Sequence, residues 1–405
     1  MLLRPAAAPK PPSAIAPMAM AGALALLALY AIALIAVVGQ HLWPAAANGA
    51  PTRIDFAEFW SAGRVALTGH AADAYDWRAL LKVIEGRTPG AFGSRSFPFY
   101  YPPPVLLGLA PLGLLSFAAA AAVWMTAGVA AYAAAIWAAT RETGARLVAL
   151  ASPAAFICLL AGQNGLLTAA LAGGVLALHR RRPLVAGVLL GLLVMKPQLA
   201  VLFPVALLAA GRWKTLATAA VTALALAALA TLAFGPSVWT ACLHAMHPGP
   251  GQPAPMAGLP PAKLLSVYGL GRVLGLGASA AMIVQVACAA AAVAWTGWLW
   301  RGDKPFALRA AGVCFAALLF SPYNCIYDLP IAGVGLAYLL DSGGRRFTWV
   351  EGGLMAAAYL LPLAFFVYPY PYGPPICLTL CVLTAARLAI RRPRPVSLVG
   401  APVTA

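Results

Sequence analysis

Charge is scarce in this chain: Asp, Glu, Lys and Arg make up 9% of its 405 residues, against about 25% in an ordinary globular protein. With 62% apolar residues as well, a soluble fold of this length has too little polar surface to stay in water. Acid is scarcer than base: 10 Asp and Glu stand against 27 Lys and Arg, a formal charge of +17. In a soluble domain that balance points to nucleic acid. Here most basic residues sit in short clusters between long apolar runs, among them Arg180, Arg181 and Arg182, Arg345 with Arg346, and Arg391, Arg392 and Arg394. The expected partner is therefore membrane lipid, with no nucleic acid. A cysteine pattern is missing too. None of the seven cysteines forms a Cys-x-x-Cys pair, which argues against a disulfide framework or a metal site, and Cys377 and Cys381 on one helical face read as small apolar residues. No repeat of fixed period is visible, and the alanine-rich tracts 118–122 and 288–294 read as packing faces inside spans.

What the chain has in abundance is apolar helix. A span needs about 20 apolar residues in helical form, because lipid cannot satisfy backbone polar groups. The first run, Pro17 to Val38, follows Arg4 and Lys10 and is too long for a signal-peptide core, although the "AAANGA" after it weakly resembles a cleavage site. It reads as an uncleaved first span with a cytosolic N-terminus. Further apolar segments run over 104–139, 147–161, 163–178, 183–195, 197–210, 215–234, 276–300, 306–320, 326–340, 349–367 and 374–390. The expectation is an all-α polytopic membrane protein with about 12 transmembrane helices, the short ones broken or tilted. In 104–139, Pro111 predicts a short entry helix before a main span near Ser116.

Alternating the spans from a cytosolic N-terminus leaves nine Lys and Arg outside, six of them in the long 40–103 loop, where charge has little weight for orientation. Both termini come out cytosolic. The other three external cations, Lys196, Lys263 and Arg272, need another explanation.

Five of the ten acids, Asp55, Glu58, Asp73, Asp76 and Glu85, fall in the 40–103 loop. Within it Phe59, Trp60, Gly63 and Leu67 follow helical spacing from Phe56, with Glu58, Ser61, Arg64 and Thr68 opposite and Gly69 as a stop. Trp77, Leu80, Leu81 and Ile84 mark a second short helix. Both suit helices lying in the outer interface. The closing "FPFYYPPPV" places Tyr100 and Tyr101 at headgroup level, as an anchor or a rigid entry. Asp55 has two compatible readings: the cap of the first helix, with Glu58 completing a capping box, or a catalytic carboxylate held at the membrane surface. Lys196, in Met195-Lys196-Pro197, either snorkels to headgroups or binds an anionic group. Gly162-Gln163-Asn164-Gly165 is an external hairpin. Tyr323, Asn324, Tyr327 and Asp328 form a further external corner, able to contact a sugar or to satisfy helix ends.

The run "DFAEFWSAGRVALTGHAADAYD", then "FPFYYPPPVLLGLAPLGLLS", "GQNGLL", "AGVLLGLLVMKPQ" and "GRWK" resembles glycosyltransferase family 87 of the membrane-embedded glycosyltransferase C superfamily. That group includes polyprenol-phosphate-mannose-dependent mannosyltransferases. The resemblance covers the first half in ordered motifs and the second mainly by span pattern. It implies a single membrane domain over 1–405, a first external loop at 40–103 with an essential Asp at Asp55 and membrane-parallel helices near 56–68 and 77–85, and a second external loop at 235–275. It further implies a polyprenyl-phosphate sugar as donor, a glycan, glycolipid or protein acceptor at the outer face of a bacterial-type plasma membrane, and inversion. The family's lysine before proline falls on Lys196 and its Gly-Gln turn on Gly162 and Gln163.

A lipid monophosphate is already a good leaving group, so such a reaction needs one base and cations for the phosphate. Asp55 is the expected base and Lys196 the expected phosphate ligand. Substrate contacts are expected from Glu58, Arg64, Tyr100, Tyr101, Gln163, Asn164, Arg272 and Asp328. No cofactor or metal is expected, although Asp55 with Glu58 can in principle share a cation. The rival reading is a transporter or flippase of lipid-linked sugars, for which symmetric halves and charges near the midplane are the marks. A polymerase or ligase using lipid diphosphate would carry a more basic late loop than 235–275, which holds Lys263, Arg272, His244 and His247 among Pro and Gly.

Overall fold

The computed structural model describes residues 16–52, 54–86, 99–246, 259–342 and 347–389. The clusters at Arg345 and Arg346 and at Arg391, Arg392 and Arg394, the N-terminal Arg4 and Lys10, and the centre of the 235–275 loop with His247 lie outside the described residues. Regular structure among the described residues is helical throughout, apart from one isolated bridge between Ala45 and Pro51.

Helix α1 (Ala16–Gly39) carries no charge and is exposed along most of its length, as a span facing lipid should be. Two short helices follow where the spacing predicts them, α2 (Phe56–Ala66) and α3 (Trp77–Glu85). Asp76 caps α3 by accepting from the Arg78 N–H at 2.9 Å. The run from 104 divides as Pro111 predicts. Helix α4 (Pro104–Gly113) ends just past that proline, and Ser116 caps α5 (Phe117–Ala139).

Next come α6 (Thr143–Leu150), α7 (Pro153–Ala161) and α8 (Gly165–Leu178). The chain then returns as α9 (Pro183–Leu192), a 3-10 turn at Leu193–Met195, α10 (Pro197–Ala200) and α11 (Leu202–Ala209). The chain reverses at Lys196, and Pro197 shapes the turn: it disfavours the helical region for the residue before it, so Lys196 sits at φ −138°, ψ 74°. Irregular backbone at membrane depth is tolerated only where protein covers it, and Lys196 is 3% exposed. The chain continues with α12 (Trp213–Phe234), α13 (Ser237–Met246), α14 (Val267–Val273), α15 (Ala278–Trp300), α16 (Phe306–Phe320), α17 (Pro330–Asp341), α18 (Trp349–Leu360) and α19 (Gly373–Ala389).

Helices α8, α16 and α17 form the centre; α16 is buried without a break from Leu308 to Leu319. Helices α1, α12 and α15 present mostly exposed apolar side chains, the pattern of an outer ring against lipid. Six stretches are long and apolar enough to cross a membrane: Pro17–Gly39, Phe117–Ala139, Thr143–Ala161, Trp213–Phe234, Ala278–Trp300 and Trp349–Phe366. The other apolar helices are of 10–17 residues. The chain is a multi-pass membrane protein with six long spans and six shorter apolar helices among the described residues.

The structure departs from the sequence expectation at α2. An interfacial helix should keep its polar face wet, yet Glu58 and Ser61 are buried along with Phe56, Phe59 and Trp60, and Arg64 is the one exposed residue between Phe56 and Ala66. The polar face is covered because α2 packs on α4, α5 and the segment 71–75 together. Its aromatics interlock with the start of α5: Phe56 meets Phe117 at 5.6 Å, Trp60 meets Phe117 at 5.4 Å, and Phe59 meets Trp124 at 5.3 Å. Each such pair contributes about 0.5–1.5 kcal/mol beyond its buried area. Helix α2 is thereby a rigid mount for Asp55.

Candidate active site

Four segments far apart in sequence meet at one end of the bundle: the start of α2, the turn from α7 to α8, the break before α10, and the corner from Ser321 to Asp328. The backbone makes the first joint. Asp55 N–H donates to Ala161 O at 2.9 Å, and the Trp43 and Trp124 indoles donate to Leu160 O at 2.9 Å and Gly162 O at 3.1 Å. Gly162 closes α7 in the left-handed region at φ 68°, with Gly162 and Gln163 N–H bonded back to Leu159 and Cys158 carbonyls. Gly165 starts α8 so close to the corner that an added Cβ would lie 1.7 Å from Tyr327 O. Only glycine permits that approach.

Asp55 stands at the capping position of α2, but its side chain caps nothing, and the capping box with Glu58 does not form. The carboxylate Oδ2 accepts instead from Gln163 Nε2 at 3.1 Å. The Gln163 amide is itself oriented, because its Oε1 accepts from the Tyr101 hydroxyl and from Asn164 N–H, each at 3.2 Å. With both acceptor contacts on Oε1, the amide NH2 is the end turned to Asp55. Asp55 remains partly exposed while Gln163 and Glu58 are buried.

Lys196 does not snorkel. Its ammonium is buried in an ion pair with Asp328 Oδ1, and lies 4.8 Å from the centre of the Tyr327 ring and 6.0 Å from that of Tyr101. The second Asp328 oxygen accepts from Cys325 N–H at 2.9 Å. The pairing reflects the cost of an isolated charge in a low-dielectric interior. The break before Pro197 brings Lys196 into the protein, and the corner supplies its counter-ion.

Electrostatics separate the two carboxyls on α2. Burial raises Asp55 above its usual range, while the Gln163 hydrogen bond and the charges of Lys263 and Lys196 pull it back down. Glu58 goes well above the usual range, through burial and then the neighbouring Asp55 charge, with Lys196 alone opposing. Asp55 thus takes the negative charge before Glu58 does. Burial, followed by the charges of Glu58, Asp328 and Asp55, keeps the Tyr101 hydroxyl protonated, as its role as donor to Gln163 requires.

The other expected site residues divide. Tyr100 is near enough to Glu58 for that charge to add to burial and push its hydroxyl up to about 12. Asn164 is fully buried, and neither its side-chain nitrogen nor its oxygen has a partner. Arg64 lies elsewhere, stacked 5.1 Å from Trp60 and donating to Gly113 O at 3.2 Å, where it ties α2 to α4. Arg272 donates to the hydroxyl of Tyr268, which is not an expected site residue, at 3.4 Å. Sequence reasoning left Lys263 without a role and gave Tyr327 only a place in the external corner. The structure places Tyr327 against the Lys196 ammonium and exposed Lys263 within electrostatic reach of Asp55. Lys263 had left one signal, an external cation that topology did not explain. Among the described residues no group of three His, Cys, Asp or Glu stands together as a metal site.

The arrangement therefore holds an oriented carboxylate beside a second, less acidic one, with a buried ammonium acting on both. It is equipped to take a proton from a hydroxyl next to an anionic group. Residues 99–322 match the sequence model of glycosyltransferase family 87. That stretch includes Tyr101, Gln163, Asn164, Lys196 and Arg272, and excludes Asp55, Glu58 and Asp328. No curated protein and no solved structure matches the chain.

Proposed function

Because the chain belongs to glycosyltransferase family 87 and is a membrane glycosyltransferase, we propose that it transfers a hexose, with mannose the first candidate, from a polyprenyl-phosphate sugar to an acceptor hydroxyl at the outer face of a bacterial-type plasma membrane. The observation that carries this reading is the Asp55 carboxylate, free of any capping bond and held by Gln163 on a residue that is partly exposed. In the proposed step the acceptor O–H gives its proton to Asp55 as its oxygen attacks the anomeric carbon. The bond from that carbon to the phosphate oxygen breaks on the opposite side, so the configuration inverts and the lipid phosphate leaves with the electron pair.

No general acid is required, because the leaving phosphate is stable as an anion. Lys196 is the proposed phosphate ligand. An ammonium has three N–H donors, and the contact with Asp328 occupies one of them. Tyr100 and Tyr101 offer ring faces for the sugar or the first isoprene units. Membership of a glycosyltransferase family supports an enzyme over a transporter, and the few basic residues of the 235–275 loop favour a monophosphate donor over a lipid diphosphate.

The test is sugar transfer by purified protein in liposomes carrying a radiolabelled polyprenyl-phosphate hexose and membrane-derived acceptors. Asp55→Asn should abolish covalent transfer while thermal unfolding stays near wild type. Retained turnover in that variant sinks the base assignment.

A further inference from the structure

The end of the bundle away from Asp55 holds a second concentration of charge. Helix α8 leaves the Gly162–Gly165 turn and runs 14 residues, about 20 Å at 1.5 Å per residue, to His179 and Arg180. The turn before α12 and the first turn of α16 come to the same end with Arg212 and Arg309. His179 and Arg309 flank one aromatic pair. The imidazole lies 5.6 Å from Trp300 and 5.4 Å from Phe306, and the guanidinium lies 5.2 Å and 5.9 Å from the same rings. Arg180 and Arg212 exert their charges on both His179 and Arg309.

The preference of basic residues for one side of a membrane explains arginines whose heads reach water. It does not explain Arg309, which is 7% exposed in the first turn of α16, with its Nε unpartnered and one long contact from Nη1 to Gly302 O at 3.4 Å. The Nε of Arg212 is also buried without a partner. Among the described residues no carboxylate forms an ion pair with Arg180, Arg212 or Arg309. His179 is no counter-ion either: burial, then Arg212, Arg180 and Arg309, push its ring down to about 4 despite its contact with Leu176 O. Arg309 is a buried cation without an ion pair, which carries a large desolvation cost; exposed Arg180 and half-buried Arg212 add positive charge around it, and exposed Asp303 acts on it without pairing. What the cluster lacks is a paired anion.

We propose that Arg180, Arg212 and Arg309 form a binding site for the phosphate of an anionic phospholipid headgroup, at the membrane face opposite Asp55. Guanidinium forks match phosphate oxygens in pairs, and basic pockets between helix ends accept such headgroups. A lipid is favoured over a free phosphate compound because Trp213, next to Arg212, and Trp298 are 66% and 50% exposed, as interfacial tryptophans are. This site is independent of the donor and acceptor chemistry at Asp55.

The experiment uses delipidated protein in neutral detergent, titrated separately with short-chain phosphatidylglycerol, short-chain phosphatidylcholine and inorganic phosphate. Thermal unfolding and native mass spectrometry report binding. Phosphatidylglycerol should stabilise the protein saturably and phosphatidylcholine should not. Arg180→Gln with Arg212→Gln should weaken binding on the order of 10-fold, while Arg181→Gln with Arg182→Gln, which removes the same charge from the neighbouring surface, should bind as wild type. If the first pair does not fold, Arg212→Lys, which keeps the charge and loses the fork, should still weaken binding several-fold. Equal responses to the two lipids, or equal binding by the two double variants, overturn the site. Saturation by inorganic phosphate at the same level overturns the lipid assignment.

Discussion

Replacing Gln163 with methionine keeps the volume of the side chain and removes the donor that holds Asp55. A hydrogen bond to a charged acceptor contributes about 1.5–3 kcal/mol, and here it favours the ionised carboxylate over the acid. Its loss raises the proton affinity of Asp55, which burial has already raised. A base must be ionised, so the acid limb of kcat/KM should move to higher pH. On that limb the variant should be slower by about 10- to 100-fold, since 1.4 kcal/mol is a factor of ten. At higher pH, where Asp55 is ionised in both proteins, the rates should converge. The other groups acting on Asp55 stay in place, Lys196 and Lys263 favouring its charge, as do those its charge acts on, Glu58 and the Tyr101 and Tyr327 hydroxyls. The assay is initial transfer rate from a polyprenyl-phosphate hexose across pH, with thermal unfolding measured alongside. A purely structural role for Gln163 would lower the rate equally at every pH. An unmoved acid limb would refute the reasoning.

Two further outcomes follow from the buried charges. Asp328→Asn leaves the Lys196 ammonium without its counter-ion and should cost about 3–5 kcal/mol, seen as a lower Tm; Lys196→Met with Asp328→Leu should recover most of that loss, and equal Tm values for the two variants would contradict a buried pair. Glu58, raised well above its usual value near 4.5, binds its proton more tightly folded than unfolded. Its contribution to stability is full below about pH 4.5 and lost as pH climbs toward the folded value. The Tm of Glu58→Gln, measured at one scan rate, should therefore fall less between pH 5 and pH 8 than that of wild type.

Much was legible from local pattern. The division of the run at 104 was readable from Pro111, and the turn at Lys196 from Pro197, because proline acts on the residues beside it. Short helices near Phe56 and Trp77 followed from apolar spacing. Family resemblance pointed to Asp55, Gln163 and Lys196 as a set. Arg64 and Arg272 were placed in the site by type and position alone, and the structure gives them other partners. The α2 capping box failed for a similar reason: its sequence was right, but Gln163 competed successfully for the carboxylate.

Apolar composition and its periodicity by themselves determine that this chain enters a membrane and where its helices form, since each span depends on its own residues and on lipid. Tertiary structure alone decided the charges. Asp55 meets Gln163 across 108 residues and Lys196 meets Asp328 across 132, and no local rule contains those pairings. They arise because a buried charge must find a partner, and which partner lies within reach is a matter of how α2, α8, α10 and α17 pack.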